Sequence, residues 1–156
     1  MEQEWNDYLQ EIQLPERLLS IIESKINDVQ SIFGTEIKTL FVSNRRTANG
    51  VEYLSLWLFS EDKAFECKNF ISSDDYDVVY IQNNISYVNV KKSNYVDLRD
   101  PVNESSLVCN CYLVNTSLSC SLNAVGANCK YLMQIIQSYY IANMFIPTDA
   151  RDFHKS

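Results

Sequence analysis

Three of the five cysteines in this chain, Cys109, Cys111 and Cys120, sit close together. If a hairpin turns about Asn115-Thr116, Cys111 faces Cys120 and Cys109 lies two residues along on the same face. Thiols so placed could form a disulfide or hold zinc. A structural zinc wants four ligands, however, and the one histidine, His154, stands three residues from the C-terminal end. Leu107, Leu113, Leu118 and Leu122 share the predicted face. Burial as small apolar side chains is therefore the expected fate of these thiols, and no metal or cofactor is expected. Arg45-Arg46 offers two guanidinium forks suited to carboxylate or phosphate. The competing account is a pair of solvated turn residues, with Arg46 stacked on Tyr53. Asp74, Asp75 and Asp77 supply oxygen ligands for a hard cation. They lack the sixth-position glycine and distal glutamate of a calcium loop, so a solvated acidic loop is expected. Tyr95, Asp97, Arg99 and Asp100 fall in Ser93–Ser106, the longest stretch without strand or helix periodicity, and could recognise a partner. No Gly-rich phosphate loop, nucleophile motif or base-bearing constellation accompanies them, so no catalytic residues are assigned and no enzyme is expected.

The elements that would position these residues follow a simple order. Trp5, Leu9 and Ile12 predict a short helix over residues 2–12. Pro15 suits the first position of a second helix, in which Leu18, Leu19, Ile22, Ile26, Val29 and Phe33 recur every three or four residues. Gly34 follows as a C-cap. From 36 to 124 the chain reads as seven short strands in successive hairpins, which implies antiparallel pairing. Asn49-Gly50 is the strongest hairpin signal. With that turn, Val42 faces Trp57 and Leu40 faces Phe59. A turn at Glu61-Asp62 sets Leu58 beside Phe65 and Leu56 beside Cys67. Together they predict one apolar face of Phe41, Leu54, Leu56, Leu58, Phe65 and Cys67. Tyr53, Trp57 and Phe59 make the other face of the second strand apolar too. The N-terminal helix is the natural cover, unless its stripe forms a homodimer seam. The last strand alternates Leu118, Cys120, Leu122 and Ala124 inward with serines and Asn123 outward, so one face of that sheet is solvated. Asn128 is a candidate N-cap for a final helix over 128–145. Its stripe is Cys129, Leu132, Ile136, Tyr139 and Asn143, with Ile135 and Tyr140 at the edges, and 148–156 reads as a tail.

The expected fold is thus α+β in one domain: seven antiparallel strands, closed as a barrel or packed as two sheets, between an N-terminal helical segment and a C-terminal amphipathic helix. Seven such strands followed directly by a helix resemble the pleckstrin-homology-like barrel, over roughly residues 36–145. The resemblance implies a small interaction module. It does not carry lipid headgroup binding with it. Lys38 and Arg45-Arg46 approach the cationic pattern of phosphoinositide-binding members, but the second strand opens Val51-Glu52-Tyr53-Leu54-Ser55 without a cation. The family's helix tryptophan is also absent from 128–145.

Length and composition set the remaining bounds. A 156-residue chain that is 46% apolar can bury a full core. A net charge of −7 disfavours nucleic acid and anionic membranes and favours a basic protein partner. The opening MEQEWNDYLQ lacks a signal-peptide pattern, and no apolar run is long enough to span a membrane, so a cytoplasmic location is expected. The leading expectation is a non-enzymatic protein-binding module. The alternatives are a small acidic dimeric secretion-chaperone or immunity-type protein, and a small-molecule or lipid carrier using the barrel interior.

Overall fold

A computed structural model describes residues 1–72, 74–81, 85–96, 103–114 and 119–144, with the side chains of 95, 96 and 103 excepted. Helix α1 (Gln3–Glu11) leads through a 3-10 turn (Glu16–Leu18) into α2 (Leu19–Phe33). Seven strands follow: β1 (Thr39–Thr47), β2 (Gly50–Phe59), β3 (Ala64–Lys68), β4 (Asp77–Ile81), β5 (Ile85–Val96), β6 (Asn103–Leu113) and β7 (Ser119–Val125). Helix α3 (Asn128–Ile135) runs on as a π-helical turn (Ile136–Ile141). The strands form two antiparallel sheets, ordered β1-β2-β3-β4 and β5-β6-β7. Among the described residues no ladder joins the two sheets, so the architecture is α+β with two sheets rather than a closed barrel.

The α2 stripe works in part as its spacing predicts, with Leu19 half-buried and Phe33 exposed. Leu18, Ile22, Ile26 and Val29 are all buried. The helix stops at Gly34, whose φ of 61° is the left-handed value that costs glycine nothing. The stripe lies on the chain's own first sheet: the Phe33 ring sits 4.8 Å from that of Phe65, and Lys25 Nζ lies 3.8 Å over the Tyr76 ring. A dimer through this helix would have to use its last residues, where Ile32 is 66% and Phe33 39% exposed.

From Ser55 to Phe59 both faces of β2 are buried, as their composition predicts, whereas Tyr53 and Leu54 are only half-buried. The β2–β3 register also agrees, with Leu58 opposite Phe65 and Leu56 opposite Cys67. The β1–β2 register does not. Ala48-Asn49 occupies the tip, so that Thr47 pairs with Gly50, and the ladder then shifts between Ser43 and Asn44. Val42 therefore faces Leu56 and Leu40 faces Leu58. Moving the turn by one position preserves the faces, because the pairing changes by two. The bulge changes it by one and moves every side chain beyond it to the other face. Phe41 consequently lies opposite Trp57, on the face away from α2.

Two further expectations are corrected. Ser93–Ser106 is not one long loop: Ser93 pairs with Ser106, Asn94 with Ser105, Tyr95 with Glu104 and Val96 with Asn103. β4 and β5 do not form a hairpin within one sheet but end and begin different sheets. The expected turn at Asn115-Thr116 lies outside the described residues.

The final helix also departs from its expected stripe. Cys129 and Leu132 are buried in α3, but the π turn then rotates the chain. Ile135, Tyr139 and Tyr140 enter the core and Ile136 is only half-buried. A wider turn advances the buried face by about one residue, which a constant helical period cannot anticipate.

Candidate functional site

The two sheets meet where β1 passes β7, and side chains rather than a ladder join them. The Tyr8 hydroxyl of α1 accepts the Val42 N–H at 2.9 Å and donates to Asn128 Oδ1 at 2.8 Å. Asn128 Nδ2 donates to the Val42 carbonyl at 2.8 Å and to Asn44 Oδ1 at 3.0 Å. Asn44 Oδ1 also accepts the Val125 N–H, and Ser43 Oγ bonds both the N–H and the carbonyl of Asn123. These groups satisfy the free edge of β1, which would otherwise be an orphaned row of donors and acceptors. Burial raises the Tyr8 phenol well above its ordinary range, so it stays a neutral donor. Asn128 is therefore not an N-cap: it is the first residue of α3, and its amide turns inward to this seam.

Beside the seam opens a cleft of about 380 Å³ lined by Asn44, Arg45, Arg46, Glu104, Val108 and Asn123, among others. Arg46 Nε and Nη2 grip the two Glu104 carboxylate oxygens at 2.8 and 2.6 Å. The bond from Arg46 holds the Glu104 carboxyl below the usual carboxylate range. Arg45 points the other way and donates to Glu52. Consecutive strand residues face opposite sides, so the two arginines are not one clamp. Nor is Arg46 stacked on Tyr53, whose hydroxyl instead donates to the Ile12 and Gln13 carbonyls. Tyr95, another predicted site residue, pairs with Glu104 across the ladder. The structure thus brings Arg46 and the Tyr95 backbone to one corner. Asp97, Arg99 and Asp100 lie outside the described residues. Glu104 belonged to the expected loop, and no local signal marked it as the partner of Arg46. Asp74 and Asp75 are organised by Ser72, whose Oγ accepts both their N–H groups, and Asp77 opens β4.

The second sheet has one buried and one open face. Leu107, Cys109, Cys111, Leu122 and Ala124 face the core. On the other side lie Tyr87, Asn89, Lys91, Val108, Asn110, Tyr112 and Ser121, none of them buried. Tyr87 and Tyr112 stack at 4.3 Å on that face, with Tyr87 55% exposed.

Strand β5 is the sheet's edge. The Gly126 N–H donates to the Ser105 carbonyl directly opposite, which fixes the phase of the β6–β7 ladder. The β6 residues Ser105, Leu107, Cys109 and Cys111 therefore bond toward β7, and those between them bond toward β5. By the β5–β6 register, Tyr87, Asn89, Lys91, Ser93 and Tyr95 spend their backbone groups on β6. Val88, Val90, Lys92 and Asn94 aim theirs outward. At the start of the strand, Ile85 already makes a parallel bridge to Met144. Beyond it, no described strand pairs with this edge.

Two buried clusters were not legible in the sequence. Lys25, 3% exposed, packs under Tyr76, whose hydroxyl donates to Asp28. Between the sheets, Trp57 Nε1 is buried without a hydrogen-bond partner, and no oxygen or nitrogen satisfies the Tyr140 hydroxyl.

Compared with known proteins, the chain matches no family model, no curated protein and no solved structure. No described helix is long and apolar enough to cross a membrane.

Proposed function

We propose that this protein is a non-enzymatic module that binds another polypeptide along the β5 edge, with the outer face of the second sheet as the flanking surface. The carrying observation is the outward row of β5 backbone groups, which no described strand pairs after the Met144 bridge. An edge of that length is a template for strand addition, in which main-chain bonds give affinity and alternate side chains give selectivity. Exposed Tyr87, stacked on half-buried Tyr112, adds the rigid aromatic area common at protein interfaces. Lys91 and Lys92 are exposed and make no ion pair among the described residues. The bound segment is therefore extended and apolar at alternate positions; it is acidic where it passes these lysines, a local match that outweighs the basic partner expected from the net charge of −7. Four strands plus three, followed by a helix, support the pleckstrin-homology-like reading of the fold. The cytoplasmic assignment belongs to the same proposal.

The test is an NMR titration of the intact protein with a synthetic peptide of about eight residues, close to the length of an ordinary strand, alternating valine with aspartate. Shift changes concentrated at Val88, Val90, Lys92 and Asn94 support the proposal. Changes confined to other elements, or none at millimolar peptide, overturn it.

A small-molecule carrier is the second reading. One observation favours it: Trp57 Nε1, a buried donor without a partner inside the core. Native mass spectrometry of the purified protein tests it, with a bound small mass supporting the carrier and a bare chain opposing it.

A further inference from the structure

The thiol cluster of the second sheet has a geometry that core packing alone does not require. Cys111 and Cys120 are directly opposed across the β6–β7 ladder, as their spacing predicts. The phase set by Gly126 and Ser105 makes them a closely hydrogen-bonded pair, for which the Cα separation is about 5.5 Å. A disulfide accommodates that Cα span, with the two Cβ atoms drawing together from about 5.5 Å to about 4.5 Å. Cys109 Sγ lies 3.8 Å from Cys111 Sγ, so three thiols share one patch. Their environments differ. Cys109 and Cys111 are fully buried, whereas Cys120 is half-buried at the rim of the core. A hydrogen bond from the Cys111 thiol holds Cys120 below the usual thiol range. Bonds with Cys109 and Cys120 push Cys111 above that range. The half-buried member is thus the better nucleophile and the buried member is placed to answer it. The Tyr140 hydroxyl, which no oxygen or nitrogen satisfies, lies beside the same sulfurs and turns toward Cys120.

We propose that Cys120 and Cys111 are a reversible redox pair, in which Cys120 is the thiol attacked first and Cys111 closes the disulfide. The oxidant is a hydroperoxide. The Cys120 thiolate attacks the terminal peroxide oxygen and the O–O bond breaks. The departing alkoxide or hydroxide takes up the proton that Cys120 released, and Cys120 becomes a sulfenic acid. Cys111 then attacks that sulfur, the S–S bond forms, and hydroxide leaves with the Cys111 proton as water. Two electrons pass from the thiol pair to one peroxide. Cys109 is the neighbour that steadies Cys111 and takes no part in the bond. The pair sits on the inward face of the sheet, so this chemistry is independent of peptide binding at the β5 edge.

The experiment treats the folded, reduced protein with a slight excess of hydrogen peroxide, alkylates free thiols in denaturant and maps the linkage by peptide mass spectrometry. Titratable thiols should fall from five to three per chain, with the two missing ones joined as Cys111–Cys120 and restored by dithiothreitol. Cys109→Ser should still form the link. Cys111→Ser should instead accumulate a sulfenic acid at Cys120 that dimedone traps, and Cys120→Ser should keep its Cys111 thiol free. Five free thiols after treatment of the wild-type protein, or a link through any other cysteine, would overturn the proposal whatever the variants do.

Discussion

Asn128 is the side chain on which the seam most depends. It bonds three partners drawn from α1 and β1, and replacing it by alanine strands the Val42 carbonyl and the Tyr8 hydroxyl in a dry interior. Each buried orphan costs about 1–3 kcal/mol, so Asn128→Ala should lose about 2–4 kcal/mol, read as a lower urea midpoint with unchanged slope. Glu104 governs a smaller, pH-dependent effect. Its folded carboxyl titrates below the unfolded one, so its stabilisation is present above about pH 4.3, the ordinary value for glutamate, and fades as the pH falls through the depressed folded value. Arg46 and Glu104 are partly exposed, so the contribution is about 0.5–1 kcal/mol. Glu104→Gln should lower stability by that amount at pH 7 and by almost nothing at pH 2, and denaturation at both values checks it. Neither residue's role was legible locally. Asn128 looked like a cap because its type and its place before a helix suit one; its partners come from Tyr8, Val42 and Asn44, far away in sequence. Arg46 was recognisable as a candidate, but the carboxylate that neutralises it is 58 residues on.

Elements were more readable than contacts. The α2 stripe and its Gly34 stop follow from spacing alone, because one apolar face and one left-handed residue leave little freedom. Leu58–Phe65 and Cys111–Cys120 were legible because a short connection between alternating strands fixes the register. The β1 bulge, the π turn after α3 and the full length of β5 were not. Each depends on backbone hydrogen bonds that side-chain pattern does not report, and β5 passes through Lys91, Lys92, Ser93 and Asn94, which carry no apolar alternation. The length of β5 has a direct consequence. Val90 aims its N–H outward, whereas Lys91 spends its own on β6. Proline is tolerated where an edge residue's N–H faces away from the ladder. Val90→Pro should therefore leave the protein folded yet abolish the peptide-induced shifts. Lys91→Pro removes a ladder bond and should lower the thermal midpoint further. Comparing the two melting curves, and the titration of each folded variant, checks the assigned phase.

Taken whole, the molecule pairs a covered sheet with an uncovered one. The first sheet has α2 on its outer face and the second sheet on its inner side. The second sheet has the core on one side and, among the described residues, no helix on the other. The β1 and β7 edges seal each other through polar side chains, which leaves β5 as the long edge without a described strand beside most of it. The sequence indicated the solvated face through the serines of β7, but it could not indicate which edge stays open, because strand order is set by packing across the whole fold. Amide hydrogen exchange of the free protein, resolved residue by residue, tests this most directly. Slow exchange at Tyr87, Asn89, Lys91 and Ser93, alternating with fast exchange at Val88, Val90, Lys92 and Asn94, is the predicted result. Equal protection along the whole strand would show the edge already occupied and would contradict the account.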